Sequence, residues 1–249
     1  MDVFDSVILG ALQGITEFLP ISSSGHLVLA ESVLGLKIDA LKSFDVAVHM
    51  GTLVSILVYF WKDVLGLLKG KLFWIIVVGT IPAVIVGLFL GDKIDEVFRD
   101  ARVIGVSMMA TAILFLVAEY VNKNSAKSGV SFVKSFVIGL FQAVALIPGV
   151  SRSGSTISAG LLQKMKREDA ARFSFLLGIP AIAGAGVLTF MGGSSTTFEL
   201  ELIPIMVGFL VSAFVGLAAI YFLMKFLKNH SLKIFSLYLL IVGAVVYFY

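Results

Sequence analysis

The sequence contains no cysteine among its 249 residues, which excludes disulfides, thiolate metal sites and cysteine nucleophiles. Charge is also scarce, because only 14% of the residues are Asp, Glu, Lys or Arg, against about 25% in soluble domains. No polar stretch is long enough to fold in water by itself, so a separate soluble domain is not expected. No Walker or Rossmann pattern is present, which argues against nucleotide-driven chemistry.

Hydrophobic residues, in contrast, make up 59% of the chain. Six apolar stretches approach the roughly 20 residues that cross a bilayer, so the sequence predicts an all-α integral membrane protein. These stretches are 44–61, 72–90, 103–121, 173–190, 203–224 and 234–249. The formal charge of +3 is attributed to lysines in cytoplasmic loops, and no nucleic-acid partner is expected.

Two further apolar regions, 1–36 and 131–165, are interrupted by the polar turns Pro20–His26 and Pro148–Gly154. Each arm beside a turn is too short to cross the membrane comfortably. Non-helical backbone at membrane depth is tolerated only where protein buries it or where it lines a wet cavity. We therefore expect two re-entrant helical hairpins whose turns face each other.

The two halves of the chain repeat one another. At a constant spacing of 129 positions, Gly10, Gln13, Ser22, Ser24, Gly25 and Ala30 fall on Gly139, Gln142, Ser151, Ser153, Gly154 and Ala159. The sequence predicts one membrane domain, 1–249, with a first repeat at 1–121 and a second at 131–249. Each repeat is predicted to hold one re-entrant hairpin, at 1–36 or 131–165, and three transmembrane helices.

Because each half crosses the membrane three times, the second repeat has the opposite orientation to the first, which gives an inverted-topology repeat. Along this topology one side collects Lys62, Lys69, Lys71, Lys123, Lys127, Lys134, Lys164, Lys166, Arg167, Arg172, Lys225, Lys228 and Lys233. The other side has Lys37, Lys42, Lys93, Arg99 and Arg102. The positive-inside rule makes the first side cytoplasmic, so a multi-pass protein of the cell (plasma) membrane with both termini outside is predicted.

The interrupted regions also carry the candidate chemistry. Serines are expected at the N-caps of both second arms, where free amides form a cradle for phosphate; the alternative is that they only cap helices. Arg152 is expensive at this depth and needs an anionic partner. Glu17 and Gln13, spaced four residues apart, are predicted to supply a general base or ligands for Mg²⁺ or Ca²⁺. Alternatively, Glu17 and Arg152 form a buried ion pair that locks the repeats together.

The histidines differ in their expected roles. His26 directly follows the first serine turn and is a candidate acid, base or nucleophile, with simple packing as the alternative. His49 lies within the first span, where a packing or hydrogen-bonding role is expected, and His230 is assigned to an ordinary surface loop. The second half has Leu146 and Ser155 at the positions of Glu17 and His26, so the duplicated scaffold is specialised asymmetrically.

Two long motifs, L-Q-G-I-T-E-F-L-P-I-S-S-S-G-H (Leu12–His26) and P-G-V-S-R-S-G-S-T (Pro148–Thr156), resemble the signatures of the undecaprenyl-diphosphate phosphatase family, the bacitracin-resistance phosphatases. The resemblance implies hydrolysis of undecaprenyl diphosphate to the monophosphate and inorganic phosphate, which recycles the lipid carrier for cell-wall polymer synthesis. It implies Glu17, Ser23, His26 and Arg152 as catalytic residues. The implied phosphate-binding residues are Ser22, Ser24, Gly25, Ser151, Ser153, Gly154 and Thr156. Gln13 stands where many members have Glu, which makes a two-carboxylate metal site less favourable.

Several alternatives stay open at the level of sequence. The nucleophile is Ser23, His26 or water, because all three routes use the same residues. The same architecture suits a transporter or flippase of an anionic polyprenyl phosphate lipid. A polyprenyl diphosphate and membrane lipids are the expected partners, and a homodimer is an open alternative to a monomer.

Overall fold

The computed structural model describes residues 1–36, 41–67, 70–98, 100–124, 129–191 and 202–248. Lys37, Lys69, Arg99, Lys127 and Tyr249, which the sequence analysis used, lie outside these ranges. The described residues form helices and no strands, which confirms the all-helical prediction. The helices are α1 (Val3–Phe18), α2 (Ser23–Val33), α3 (Lys42–Tyr59), α4 (Trp61–Leu67), α5 (Lys71–Phe98), α6 (Ala101–Val121), α7 (Phe132–Val144), α8 (Arg152–Leu162), α9 (Arg167–Met191), α10 (Leu202–Asn229) and α11 (Lys233–Phe248). A 3-10 turn, Asn122–Asn124, follows α6.

Four of the described helices, α5, α6, α9 and α10, are long and apolar enough to cross a membrane. The predicted span 44–61 is helical to Tyr59 but then bends by 85°, so that α4 runs off at nearly a right angle. Trp61 and Lys62 open α4, and such residues favour the membrane–water interface. The predicted span 234–249 corresponds to α11, whose 16 residues extend about 24 Å and stay short of a full crossing.

Both interrupted regions form helical hairpins, as predicted. The polar turns separate α1 from α2 and α7 from α8, and α2 and α8 have 11 residues each, or about 17 Å. In the second hairpin the Gln163 side chain donates to the Lys134 carbonyl oxygen at 3.1 Å, so its two ends lie together. In the first hairpin Met1 and Leu9 pack in one apolar cluster with Leu34.

The open ends of the two hairpins lie at opposite ends of α10. Ile205, near the start of α10, packs in the same cluster as Met1 at the first open end. At the second open end, the Lys164 ammonium donates to the Val121 carbonyl oxygen at the end of α6. Glu119, also at the end of α6, accepts a hydrogen bond from the Leu232 amide just beyond α10. Because α10 has 28 residues and extends about 42 Å, the two open ends lie far apart along it; this is compatible with the inverted repeat, which stays a prediction.

Glycines spaced like the repeat mark equivalent helix crossings. A Cβ on Gly10 of α1 would lie 2.7 Å from the Gly208 carbonyl oxygen of α10. A Cβ on Gly139 of α7 would likewise collide with the Gly79 carbonyl oxygen of α5. Gly139 follows Gly10 by 129 positions, and Gly208 follows Gly79 by the same number, so the contact of α1 with α10 is equivalent to the contact of α7 with α5. Two related halves are expected to share such a contact, and its small residues let the membrane helices approach closely.

Basic residues gather at the end where the second hairpin opens. Arg167 at the start of α9 pairs with Glu119, with Nη2 and Oε2 2.5 Å apart. Arg172 pairs with Asp63 of α4 on the same side. Lys164 also lies at this end. The contacts of Lys164, Arg167 and Arg172 therefore bring together segments whose basic residues were assigned to the same face of the membrane.

Candidate active site

The tips of the two hairpins meet through an ion pair. Arg152, the first residue of α8, places Nη2 2.6 Å from Oε1 of Glu17, which lies in the last turn of α1. Glu17 is 7% exposed, so the pair is largely shielded from solvent. A carboxylate is the anionic partner that a buried guanidinium needs. The residues predicted from the two separate motifs are therefore in direct contact.

The Arg152 guanidinium is positioned from several sides. Its Nη1 donates to the Ser174 carbonyl oxygen of α9 at 3.3 Å. The Ser174 hydroxyl shares a hydrogen bond of 2.6 Å with the Thr156 hydroxyl, which also donates to the Arg152 carbonyl oxygen at 2.8 Å. Gly178 leaves the space that the guanidinium occupies, because a Cβ there would collide with Nη1. Thr156 thus helps to position Arg152 in two ways. It hydrogen-bonds to the Arg152 carbonyl oxygen, and it contacts the hydroxyl of Ser174, whose carbonyl oxygen binds the guanidinium.

The first serine turn presents Ser23 to Glu17. The Ser23 hydroxyl donates to Glu17 Oε2 at 2.8 Å, the geometry needed for proton transfer to a carboxylate. Ser22 is the N-cap residue of α2, but its φ of 71° lies in the left-handed region and its side chain makes no capping hydrogen bond. The first-turn amides of α2 consequently have no side-chain cap from Ser22. A serine thus stands at the N-cap as predicted, whereas the alternative that it only caps the helix through its side chain is wrong here.

The second turn follows the prediction more closely. Ser151 is the N-cap of α8, and its hydroxyl accepts a hydrogen bond from the Gly154 amide at 3.1 Å. The hydroxyls of Ser151 and Ser153 share a hydrogen bond of 3.3 Å. A Cβ on Gly154 would collide with the Phe115 ring, so this glycine lets α8 approach α6. One turn thus has a capped helix start and the other an uncapped one.

A cavity of about 490 Å³ opens at the meeting point of the tips. Its polar wall includes Glu17, Ser23, Ser24, Ser151 and Arg152. The remaining lining is Thr16, Asp45, Val46, His49, Met50, Ala145, Leu146, Val150, Ala181, Ile182, Ala185 and Gly186. The cavity wall therefore combines ionisable and hydroxyl groups, which suit a phosphate, with apolar side chains such as Val46, Met50 and Leu146.

Several residues of the predicted phosphate set lie behind this lining. Ser22, Gly25, Ser153, Gly154 and Thr156 are buried and are not part of the cavity wall. Ser22 and Ser153 flank wall residues in sequence, while Thr156 acts through Arg152 as described. Their direct contact with a phosphate stays a prediction.

His26 is brought near the turn but not into the cavity wall. Its Nδ1 lies 2.7 Å from the Ser22 carbonyl oxygen, and because a carbonyl only accepts, Nδ1 must carry the proton. Nε2 then accepts a hydrogen bond from the Tyr238 hydroxyl of α11, also at 2.7 Å. Both ring nitrogens are therefore engaged, and His26 anchors the serine turn to α11. Its role as acid, base or nucleophile stays a prediction.

The cavity wall also contains two residues of α3, Asp45 and His49, that were not predicted as site residues. The His49 Nδ1 lies 2.7 Å from the Asp45 carbonyl oxygen, and Nε2 lies 3.8 Å from Glu17 Oε2. Both residues lie in a stretch that reads as an ordinary apolar span. Their spacing of four residues, which puts them on one helix face, is the signal that could have singled them out.

The predicted metal ligands Gln13 and Glu17 do not fit a cation in this arrangement. The Gln13 Nε2 donates to Glu17 Oε2 at 3.1 Å, so the Gln13 amide presents its nitrogen to the carboxylate. The other Glu17 oxygen is paired with Arg152, whose guanidinium stands where a cation would bind. Across the described ranges, no group of three or more His, Cys, Asp or Glu side chains is arranged to hold a metal ion.

An apolar groove of about 420 Å³ lies between α5 and α9, close to the cavity. Ile179 and Pro180 of α9 line the groove, while the next two residues, Ala181 and Ile182, line the cavity. On α5 the groove is lined by Phe73, Ile76, Val77, Thr80, Ile81, Val84 and Ile85. Helix α9 therefore borders both the groove and the cavity, with residues on different faces of the helix.

Comparison with known proteins points in one direction. The profile of the bacitracin resistance protein BacA matches residues 6–245. The chain is 42% identical to an undecaprenyl-diphosphatase of Desulforudis audaxviator, with 99% of this chain and 97% of the relative aligned. It is 38% identical to an undecaprenyl-diphosphatase of Methanosphaera stadtmanae, with 98% of this chain and 97% of the relative aligned.

Proposed function

Because the chain belongs to the bacitracin resistance protein BacA family, we propose that it hydrolyses undecaprenyl diphosphate to the lipid monophosphate and inorganic phosphate. The observation that carries the proposal is the contact of Glu17 with both Arg152 and Ser23 at the edge of the cavity. A base, a hydroxyl nucleophile and an oxyanion-binding guanidinium are the groups that phosphoryl transfer needs. Recycling of the lipid carrier for cell-wall polymer synthesis follows from that reaction.

The shape of the site suits a substrate with a polar head and a long tail. The terminal phosphate would lie against Ser23, Ser151 and Arg152, where first-turn amides of α2 and α8 add partial positive charge. We place the first prenyl units in the groove between α5 and α9, because it is apolar and because α9 borders both the groove and the cavity. The rest of the tail would remain in lipid.

Substrate binding would also switch the Glu17 carboxylate into its catalytic state. In the absence of substrate the Arg152 guanidinium is neutralised by Glu17 at 2.6 Å. The terminal phosphate of a diphosphate offers the planar Arg152 guanidinium a more highly charged competitor, two of whose oxygens can accept both arms of its fork. Once the guanidinium turns to the phosphate, Glu17 keeps the hydrogen bond from Ser23 and gains strength as a base.

The first half-reaction then follows from these contacts. The Ser23 oxygen attacks the terminal phosphorus, its proton passes to Glu17, and the bond from phosphorus to the bridging oxygen breaks. The lipid monophosphate leaves as an anion, and Arg152 stabilises the equatorial oxygens during the transfer. Attack by His26 or by water stays an alternative, although both nitrogens of His26 have other partners.

A divalent cation is proposed only as a companion of the substrate's phosphates. Mg²⁺ is commonly held by phosphate oxygens and waters together with few protein ligands, so dependence on a cation is compatible with the poor fit of Gln13 and Glu17. When bound, it would neutralise charge on the diphosphate. Phosphate release after chelation, and again after addition of Mg²⁺ or Ca²⁺, tests this dependence.

The location in the membrane is proposed from the chain's own topology. The family and the long apolar helices place the protein in a membrane as a multi-pass protein. We propose the cell membrane, with the basic end of the bundle in the cytoplasm and both termini outside. The homodimer also stays a prediction.

The decisive experiment measures phosphate release from undecaprenyl diphosphate by the purified protein in detergent, with the lipid product identified by mass spectrometry. Glu17→Gln and Arg152→Ala should each abolish turnover while the protein keeps its thermal unfolding transition. Glu168→Gln, an exposed acidic residue of α9, serves as the matched control. If the protein binds the lipid and moves it between leaflets but releases no phosphate, the phosphatase proposal is wrong and the protein is a flippase.

A further inference from the structure

The cavity wall contains a histidine that the serine motif does not include. His49 of α3 lines the cavity, and its side chain is 32% exposed, whereas His26 lies outside the lining. Its Nε2 faces Glu17 Oε2 at 3.8 Å, the same oxygen that accepts the hydrogen bond from Ser23. Among the described histidines, His49 is therefore the one that lines the cavity.

The tautomer of His49 follows from its hydrogen bond. Nδ1 lies 2.7 Å from the Asp45 carbonyl oxygen, which can only accept, so Nδ1 is the protonated nitrogen. In the neutral ring Nε2 then has a free lone pair directed into the cavity. His26 has the same tautomer, but Tyr238 occupies its Nε2.

The other ionisable groups of the wall have different partners. Glu17 receives the Ser23 proton in the first half-reaction and so is occupied when the second begins. Asp45 interacts with a second acidic side chain, the buried Glu31. Arg152 holds the phosphate and does not release its proton at neutral pH. Among the described lining residues, this leaves His49 as the group free to accept a second proton.

We propose that His49 is the catalytic base of the second half-reaction, an inference that rests on the proposed phosphatase function. Nε2 takes a proton from water as the water oxygen bonds to phosphorus. The bond from phosphorus to the Ser23 oxygen breaks, and that oxygen recovers its proton from Glu17. Inorganic phosphate leaves, and His49 passes its proton to solvent. The serine, the carboxylate and the imidazole all return to their starting states.

The test uses His49→Asn and His49→Gln in the full-length protein, with undecaprenyl diphosphate as substrate. We expect kcat to fall by at least about 100-fold, the range attributed to general base catalysis, and KM to fall with it, so that kcat/KM, which reports the first half-reaction, changes little. Because only the second half-reaction loses its base, protein phosphorylated on Ser23 should accumulate and be visible by intact mass. Adding Ser23→Ala should remove that species. Imidazole should partly restore phosphate release to His49→Ala.

His230→Asn is the matched control, because His230 makes the same local hydrogen bond, from Nδ1 to the carbonyl oxygen of Phe226 four residues earlier, at the exposed end of α10. Its activity should equal that of the wild type. Activity of the His49 variants within about threefold of wild type would overturn the proposal, as would a slow variant that never accumulates phosphorylated protein. If the wild type itself releases no phosphate, the proposed function is wrong, and the role of His49 is wrong for the same reason.

Discussion

Arg152 shows how a single side chain links the two halves of the molecule. It lies at the start of α8, yet its contacts are with Glu17 of α1 and Ser174 of α9. A buried pair of this kind adds little net stability on its own, because both charges are desolvated, but it fixes where each partner lies. The pair thus brings together a base and an anion-binding group that are far apart in sequence.

Replacing Arg152 by lysine should separate charge from geometry. Lysine keeps the positive charge but lacks the planar fork that meets Glu17 and a phosphate. We expect kcat/KM for undecaprenyl diphosphate to fall by about 100-fold or more, similar to loss of one oxyanion donor. Phosphate release is the measurement, and Arg102→Lys, at an exposed position of α6, is the control. Near-normal activity of Arg152→Lys would mean that charge alone is sufficient there.

Sequence motifs predicted the contact of Glu17 with Arg152, because an intramembrane guanidinium demands an acidic partner. They did not predict His49, since one polar residue in an apolar span is compatible with simple packing. They also assigned a capping role to the serines before α2, whereas Ser22 adopts a positive φ that only the folded hairpin reveals. Residues that act through tertiary contacts lack a local signature of their own.

At the scale of elements, α9 positions both sides of the site. Its first half supplies Ser174 and the gap at Gly178, and its second half lines the cavity with Ala181 and Ile182. The apolar stretch 173–190 predicts a span but no site residue within it. In the structure, the small residue Gly178 of this helix makes room for the Arg152 side chain.

Gly178→Ala should therefore impair catalysis more than stability. The added Cβ would collide with the Arg152 guanidinium, which can swing away because it is the flexible end of a long side chain. Kinetics should show a fall of about tenfold in kcat/KM, with a thermal unfolding temperature close to that of the wild type. Gly184→Ala on the same helix is the control, because a Cβ there meets nothing within 4 Å. Equal activities of the two variants would contradict this role for Gly178.

The groove between α5 and α9 can be tested in the same way. Val84→Trp would fill part of the groove and displace prenyl units that we place there. Displacing about two methylene groups from an apolar wall corresponds to roughly a tenfold rise in KM, while kcat should stay similar. Steady-state kinetics with undecaprenyl diphosphate measure both constants. Val117→Trp, on an exposed face of α6 outside the groove, should leave KM unchanged.

At the scale of the whole molecule, opposed entry of the hairpins explains how an intramembrane site forms. Each hairpin alone would leave the polar ends of short helices in hydrocarbon. When the two enter from opposite ends, their tips meet and satisfy each other, as the pair of Glu17 and Arg152 illustrates. The repeat in the sequence predicted this architecture, but the bend after α3 and the separate helix α4 needed the folded structure.

Sidedness in the membrane follows from the same architecture. The protein has no native cysteine, so single cysteines can be introduced without removing others. The positive-inside rule predicts that His230→Cys, beside the basic end of the bundle, lies in the cytoplasm and that Lys93→Cys lies outside. A membrane-impermeant maleimide should therefore label Lys93→Cys in intact cells and His230→Cys only after the membrane is opened. Labelling of both cysteines from the same side would contradict the crossings that α5 and α10 are predicted to make. If His230→Cys is instead labelled in intact cells and Lys93→Cys only after the membrane is opened, the predicted orientation is reversed while the inverted repeat is unaffected.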